Sequence, residues 1–335
     1  MISAKPKVRI VATGGSIAGI GPNRLDSLLY AELGQKLSIQ ELLARIPETD
    51  TIAEVLGEDA VTVSSTAIGP SEWLFLARRI NTLFANEPDL SGVVVTHGTA
   101  TLEETAYFLH LTVKSSKPVV ITGAMRPPTA LGTDADRNLM DAIRVAASPA
   151  SVGKGVLTVL NNQIHSARDV TKTNSFRLET FKPNELGFLG YVDYDDQVLF
   201  YRSPTRDHTI STEFSIDDYE SLPRVDMVYS YAGSDGLLID AVRQNGTKGL
   251  VIVGYGGGSL SPTVTNATVQ AIEDGISVVL ATRSNSGRVI MTPKKEEQGF
   301  IVCDNLLPQK ARILLMLALT RTNDRSEIQN MFYRH

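Results

Sequence analysis

The sequence predicts an α/β protein of two domains, with a parallel sheet covered by helices on both faces. Three observations carry that expectation. The chain has 335 residues, more than a single hydrophobic core usually serves. Strand-length apolar runs alternate with helix-spaced stretches, and the runs are apolar throughout, as in sheets buried on both sides. A polar, proline-bounded break, SPTRDHTISTEFSIDDYESLP from Ser203 to Pro223, separates one such alternation from a second.

The elements follow in order. VRIVA (Val8 to Ala12) reads as a strand feeding a glycine turn, Thr13-Gly14-Gly15-Ser16. LSGVVVT reads as a second buried strand. It runs into the polar turn Thr96-His97-Gly98-Thr99-Ala100-Thr101 and then a helix from Leu102 to Val113. KPVVITG (Lys117 to Gly123) precedes a loop and a helix from Arg137 to Ala147, and GVLTVLN (Gly155 to Asn161) comes next. After the break the pattern restarts. VDMVYSYA, a helix from Gly236, KGLVIVGYG, a helix near Thr263 to Asp274, ISVVLATRS and a helix from Pro308 to Leu319 form a smaller α/β domain. Polar turns then sit at the carboxyl ends of strands, where open α/β sheets bind ligands.

Several function classes lose ground. A net charge of −5 argues against nucleic acid as the partner. Cys303 is the single cysteine, so no intrachain disulfide and no cysteine-based metal cluster is expected. No apolar run reaches the roughly 20 residues of a membrane span. The N-terminus, MISAKPKVRIVATGG, enters a strand without an apolar signal core. A cytoplasmic location is expected, or a periplasmic one if a signal was trimmed.

Among single residues, Ser16 stands out. Its glycine neighbours leave backbone N–H groups accessible, so its hydroxyl has the setting of a nucleophile beside an oxyanion site. A dinucleotide loop is the weaker reading, because the G-x-G-x-x-G spacing is missing. His97 reads as a structural histidine bonded to backbone or a neighbouring helix. Glu103 and Glu104 open a helix, where carboxylates favour the dipole. Asp134 and Asp136 read as caps of the Arg137 helix rather than metal ligands. Arg126 reads as a stabiliser of its loop or of a subunit interface.

Six stretches then appear together and in order: ATGGSIAG, THGTATLEETAYFL, GAMRPP, RDVTKTN, VDMVYSYAGSDG and LLPQKARILLMLALT. In them the chain resembles the bacterial type II L-asparaginases and glutaminase-asparaginases over nearly its whole length. The resemblance implies a larger N-terminal flavodoxin-like (Rossmann-like) domain, residues 1–205, which carries the nucleophiles. It implies a linker over 206–223 and a smaller C-terminal α/β domain, 224–335, that completes the neighbouring subunit's site. It also implies a homotetramer, a dimer of intimate dimers, that hydrolyses a side-chain amide and releases ammonia without metal or cofactor.

Residue by residue, the family's first threonine nucleophile falls on Ser16, which keeps the hydroxyl. The mobile-loop tyrosine falls on Tyr30, the second threonine on Thr99 and the motif lysine on Lys172. The serine that holds the substrate α-carboxylate falls on Ser65, with Trp73 setting the register. Gly98 and the backbone near Ala124 belong to the expected substrate-binding set.

The departures cluster. The family's THGTDT aspartate, which grips the substrate α-ammonium, is here Ala100. The glutamine after the carboxylate-binding serine is Thr66, and the neighbouring subunit's asparagine is Ser259. The neighbour's glutamate has only Glu296 and Glu297 nearby, at the wrong spacing. All four positions surround one substrate group. Removing one partner of a buried, hydrogen-bonded charge pair costs roughly 2–5 kcal/mol, about thirty- to several-thousand-fold in affinity. The resemblance therefore implies an amidohydrolase acting on an N-substituted or des-amino asparagine- or glutamine-like amide rather than free L-asparagine. The alternatives are an ordinary L-asparaginase/glutaminase and a catalytically weak ligand-binding homologue. Without a carboxylate beside it, Lys172 is expected to have a lowered pKa and to serve as a general base toward Thr99.

Overall fold

A computed structural model describes residues 5–335. The chain divides into two compact units, the first ending at Thr212 and the second beginning at Glu213. In the first unit an eight-stranded sheet contains β1 (Lys7–Ala12), β2 (Glu54–Asp59), β3 (Leu90–Thr96), β4 (Val119–Thr122), β5 (Val156–Leu160) and β6 (Gln163–Ser166). β7 (Thr171–Lys172) and β8 (Phe181–Lys182) form a separate small hairpin, and β9 (Gly190–Val192) and β10 (Val198–Phe200) complete the main sheet. Its helices are α1 (Tyr30–Leu33), α2 (Ile39–Ala44), α3 (Pro70–Asn86), α4 (Leu102–Thr112) and α5 (Ala135–Ala147).

The order across the sheet is β10-β9-β6-β5-β4-β3-β1-β2. The five strands from β2 to β5 are parallel in the order 2-1-3-4-5, the flavodoxin-like arrangement. Successive side chains alternate between faces. Val8, Ile10, Val94, Val120 and Leu157 pack in one core cluster with Leu139, Ala142, Ile143 and Ala146 of α5 and with Ile39 and Leu42 of α2. The intervening residues Val11, Val93, Val95 and Ile121 are also fully buried, and α3 and α4 pack on β3, β4 and β5. Burial on both faces is why these strands read as unbroken apolar runs.

One edge departs from the all-parallel expectation. β6, β9 and β10 run antiparallel. The reversal after β5 is a two-residue turn, with Leu160 paired to Gln163 and Asn161 and Asn162 at φ 53 and 61. Asparagine tolerates that left-handed conformation, and the primed turn matches the strand twist.

The second unit holds β11 (Val225–Tyr229), α6 (Leu237–Gln244), β12 (Gly249–Gly254), α7 (Pro262–Glu273), β13 (Ser277–Thr282), α8 (Pro293–Glu297), β14 (Ile301–Val302), α9 (Pro308–Ala318) and α10 (Arg325–Arg334). Its four strands are parallel in the order β11-β12-β13-β14. β12 is fully buried, and α9 packs on the three strands before β14. Among the described residues, no helix is long and apolar enough to cross a membrane.

Candidate active site

β1 lies between β2 and β3, so the connections leaving β1 and β3 diverge. Such a switch point opens a crevice at the carboxyl ends of the strands. The turn after β1 carries Ser16, and the turn after β3 carries Thr99. Two glycines let these turns meet. Gly15 has φ +86, and a Cβ there would stand 2.2 Å from Gly98 Cα. A Cβ on Gly98 would stand 2.6 Å from Ser65 Cβ. Any side chain at either position would push the Ser16, Thr99 and Ser65 segments apart. Thr101 Oγ1 also donates to Ser65 O at 2.6 Å, tying the third segment to the second.

A cavity of about 370 Å³ opens over this junction, lined by Ser16, Tyr30, Lys36, Ser65, Thr99, Ala100 and Lys172 among others. Two short pairs stand among the groups that line it. Ser16 Oγ and Tyr30 Oη are 2.8 Å apart. Lys172 Nζ donates to Thr99 Oγ1 at 2.8 Å. Tyr30 comes from a lid, residues 20–36. Asp26 holds the lid's single helical turn by accepting from Leu29 N at 3.0 Å and Tyr30 N at 3.1 Å. The lid's two ends are joined where Ile20 N donates to Gln35 O at 3.0 Å and Leu37 N to Ala18 O at 2.7 Å.

Lys172 lies on β7 and is half-buried. Burial lowers its pKa, but the expectation that no carboxylate stands beside it is corrected, because the Glu103 carboxylate faces it and pulls the pKa the other way. Glu103 Oε2 accepts from Lys172 N at 3.1 Å. Glu103 is therefore more than a helix-opening charge: it is a buried residue of α4 tied to β7. Nothing in its sequence setting set it apart from Glu104.

The remaining expected residues are distributed as follows. Ala100 borders the cavity and is exposed, and Ser65 is buried beneath it. Thr66 is exposed and turned toward Ser64, with the two hydroxyls 2.9 Å apart. Ser64, not Thr66, lines the cavity within this unit. Gly98 is wedged between Gly15 and Ser65 and supports the wall rather than lining it. Ala124 is fully buried in the α5-side core. Ser259 belongs to the second unit, exposed in the turn closed by the Tyr255–Ser259 bridge. There it borders a small cavity of about 220 Å³ with Lys294 and Lys295. Glu296 and Glu297 are exposed on α8 and do not line that cavity.

His97 is structural. Its Nδ1 lies 2.8 Å from Gly98 O and its Nε2 2.9 Å from Thr105 Oγ1. Trp73 Nε1 donates to the same Thr105 hydroxyl at 3.0 Å. Full burial pushes the imidazole pKa down to about 4, so it is neutral and donates from Nδ1 to the carbonyl. Asp134 stands at the N-terminus of α5, but its side chain does not cap that helix. It accepts from Met125 N at 3.0 Å and Arg126 N at 2.9 Å instead, bracing the loop after β4. Asp136 pairs with Arg45 at 2.8 Å. Arg126 donates to Gly132 O at 2.7 Å within its own loop.

The cavity lining carries two lysines and no carboxylate. Lys36 carries no signal in the sequence, because it lies 20 residues beyond Ser16 and is brought to the site by the pairing of Gly19 with Lys36. A larger cavity, about 560 Å³, is lined by Arg137, Asn162 and residues 191–194. It has no hydroxyl paired with an amine, so chemistry rather than size selects the smaller cavity. Among the described residues, no group of three His, Cys, Asp or Glu side chains is placed to hold a metal ion.

Comparison with known proteins accords with this geometry. Residues 7–206 match the family described as "Asparaginase, N-terminal", and residues 224–332 match "Glutaminase/Asparaginase C-terminal domain". The chain is 46% identical to L-asparaginase 2 of Bacillus subtilis (strain 168), over 98% of this chain and 86% of that protein. It is 40% identical to L-asparaginase 2 of Escherichia coli (strain K12), over 99% and 94%. The structure titled a probable cytoplasmic L-asparaginase from Campylobacter jejuni superimposes with a TM-score of 0.94 at 38% identity, covering 99% of this chain and all of that one.

Proposed function

The chain belongs to the asparaginase family, hydrolases of the carbon–nitrogen bonds of linear amides, and from that premise we propose that its substrate is not free L-asparagine. The amide it hydrolyses is an asparagine- or glutamine-like compound that lacks the α-amine or carries a substituent on it. One observation carries this reading: the cavity that holds Ser16, Thr99 and Ala100 is lined by two lysines and no carboxylate. A free α-ammonium bound there would lose water without gaining a counter-charge from this chain's own cavity wall.

The proposed chemistry uses two hydroxyl pairs. Ser16 Oγ attacks the amide carbonyl carbon while its proton is relayed through the Tyr30 hydroxyl to the departing amide nitrogen, which leaves Tyr30 neutral. The C–N bond breaks, ammonia leaves, and an acyl-enzyme ester remains on Ser16. Thr99, with neutral Lys172 as base, then directs water to that ester, which releases the acid and restores the serine hydroxyl. Support for Ser16 as first nucleophile comes from the lid, which brings Tyr30 to it and not to Thr99. The substrate α-carboxylate is assigned to Ser65. We assign the working assembly as a homotetramer in which Ser259 completes a neighbouring subunit's site. Light scattering that gives a monomer at working concentration would remove that assignment.

The test is ammonia release from a panel of amides: free asparagine and glutamine, succinamate, and N-acylated asparagine and glutamine. The expected result is turnover of the substituted or des-amino compounds, lost in Ser16→Ala. Binding of the same compounds without any ammonia release would instead favour a ligand-binding protein.

A further inference from the structure

Lys36 is the charged side chain of the cavity wall that the proposed chemistry leaves without a role. It sits at the base of the lid, where Gly19 and Lys36 form an antiparallel bridge. That pairing holds the Lys36 backbone while its side chain turns back over the first glycine turn. Nζ donates to Val63 O at 2.9 Å. A Cβ on Gly14 would stand 2.8 Å from the same nitrogen. The ammonium thus rests against bare backbone, between the segment leading to Ser16 and the segment leading to Ser65.

Its electrostatic setting differs from that of Lys172. Lys172 donates to Thr99 and is faced by Glu103. Around Lys36, burial alone acts on the ammonium and lowers its pKa, with no carboxylate raising it. An ammonium carries three N–H donors, and the Val63 carbonyl takes one. A partly buried cation with donors beyond its one backbone bond, in a cavity whose lining in this chain has no acid, is suited to an incoming carboxylate. The cavity, at about 370 Å³, lies within the usual range for a small-molecule site.

We propose that Lys36 is a specificity-determining residue that receives a second carboxylate of the substrate, carried on the substituent of its α-nitrogen. The preferred substrate is then a dianion: an N-acylated asparagine- or glutamine-like amide whose acyl group ends in a carboxylate. Ser65 holds the α-carboxylate, Ala100 leaves room for the substituent, and Lys36 holds its acidic end. The inference rests on the N-substituted reading above and narrows it. The matched charge adds binding that a neutral substituent cannot reach, through charge-assisted hydrogen bonds.

The test compares kcat/KM for N-succinyl-L-asparagine, a dianion, with N-acetyl-L-asparagine, a monoanion. Three proteins are measured: the unsubstituted enzyme, Lys36→Gln, which keeps a donor for Val63 O but loses the charge, and Lys36→Arg, which keeps the charge. The ratio of the two kcat/KM values is expected to fall by about ten- to a hundredfold in Lys36→Gln, mainly through KM, and to stay high in Lys36→Arg. A ratio unchanged within about threefold overturns the proposal and leaves Lys36 as a pin for the lid. Free asparagine serves as the separating control. If the unsubstituted enzyme prefers it to N-acetyl-asparagine, the underlying reading fails. If N-acetyl-asparagine is preferred and Lys36→Gln is blind to charge, only the role of Lys36 fails.

Discussion

Two sets of side chains share the cavity. In the first, every reactive group has a partner: Ser16 meets Tyr30 at 2.8 Å and Lys172 meets Thr99 at 2.8 Å. In the second, Ala100 offers a methyl group, and Lys36 has backbone but no carboxylate beside it. Both sets rest on the same framework, the glycine contact between Gly15 and Gly98 and the Thr101–Ser65 tie. The difference teaches that hydrolytic groups and recognition groups are separable on this scaffold. The first set needs short, fixed distances between hydroxyl and base. The second needs only a match of charge and volume, so it changes without disturbing the first.

Breaking the hydroxyl set gives the largest effect. Lys172→Met should lower kcat by about a hundredfold to ten-thousandfold, the usual contribution of a positioned base. The pH profile carries a second reading. Lys172 takes a proton only when neutral, so kcat should rise with pH through a limb set by its pKa. Burial lowers that pKa, so the limb lies below the ordinary lysine range. In Lys172→Met the limb should vanish; a limb that persists unchanged removes Lys172 as the base.

Converting Ala100, in the second set, sharpens the comparison. Ala100→Asp supplies the missing counter-charge for a free ammonium. It should raise kcat/KM for free L-asparagine by about thirtyfold or more, and lower it for acidic N-substituted amides. A variant that slows both substrates alike would mean that Ala100 does not face the α-nitrogen.

The last effect falls on stability, leaves the rate near neutral pH untouched, and concerns the support beneath both sets. His97 is neutral in the folded protein, with its pKa pushed down to about 4 from an ordinary 6.5. Between those values the unfolded chain binds more protons than the folded one, so stability falls as pH drops through that window. The loss from this one group should approach roughly 3 kcal/mol by pH 4. Urea unfolding from pH 7 to pH 4 should show a shallower decline in His97→Gln than in the unsubstituted protein. Activity between pH 7 and pH 9 should show no limb belonging to His97.

Legibility in the sequence followed physical signal strength. β3 and β12 were plain because burial on both faces makes continuous valine-rich runs. β2, EVLGED, was not foreseen: it is a half-exposed edge strand with three acidic residues. α3 was not foreseen either, although Trp73, Leu76, Ala77, Ile80 and Leu83 have helical spacing behind Pro70. The antiparallel edge hid in short strands joined by Asn161 and Asn162. At the site, the turns after β1 and β3 were visible as glycine and hydroxyl clusters. The Ser16–Tyr30 and Thr99–Lys172 pairs were legible only through the order of the family motifs, because their members are far apart in the chain. Lys36 and Glu103 gave no signal, since an isolated lysine and a helix-opening glutamate each have an ordinary explanation.

The most direct measurement is a steady-state comparison of free L-asparagine with N-acyl-L-asparagine on the unsubstituted enzyme, read as ammonia release. The account predicts a kcat/KM at least about thirtyfold higher for the N-acyl compound, the equivalent of one unpaired ammonium avoided. A higher kcat/KM for the free amino acid would contradict it and make the wall at Ala100 an ordinary ammonium site.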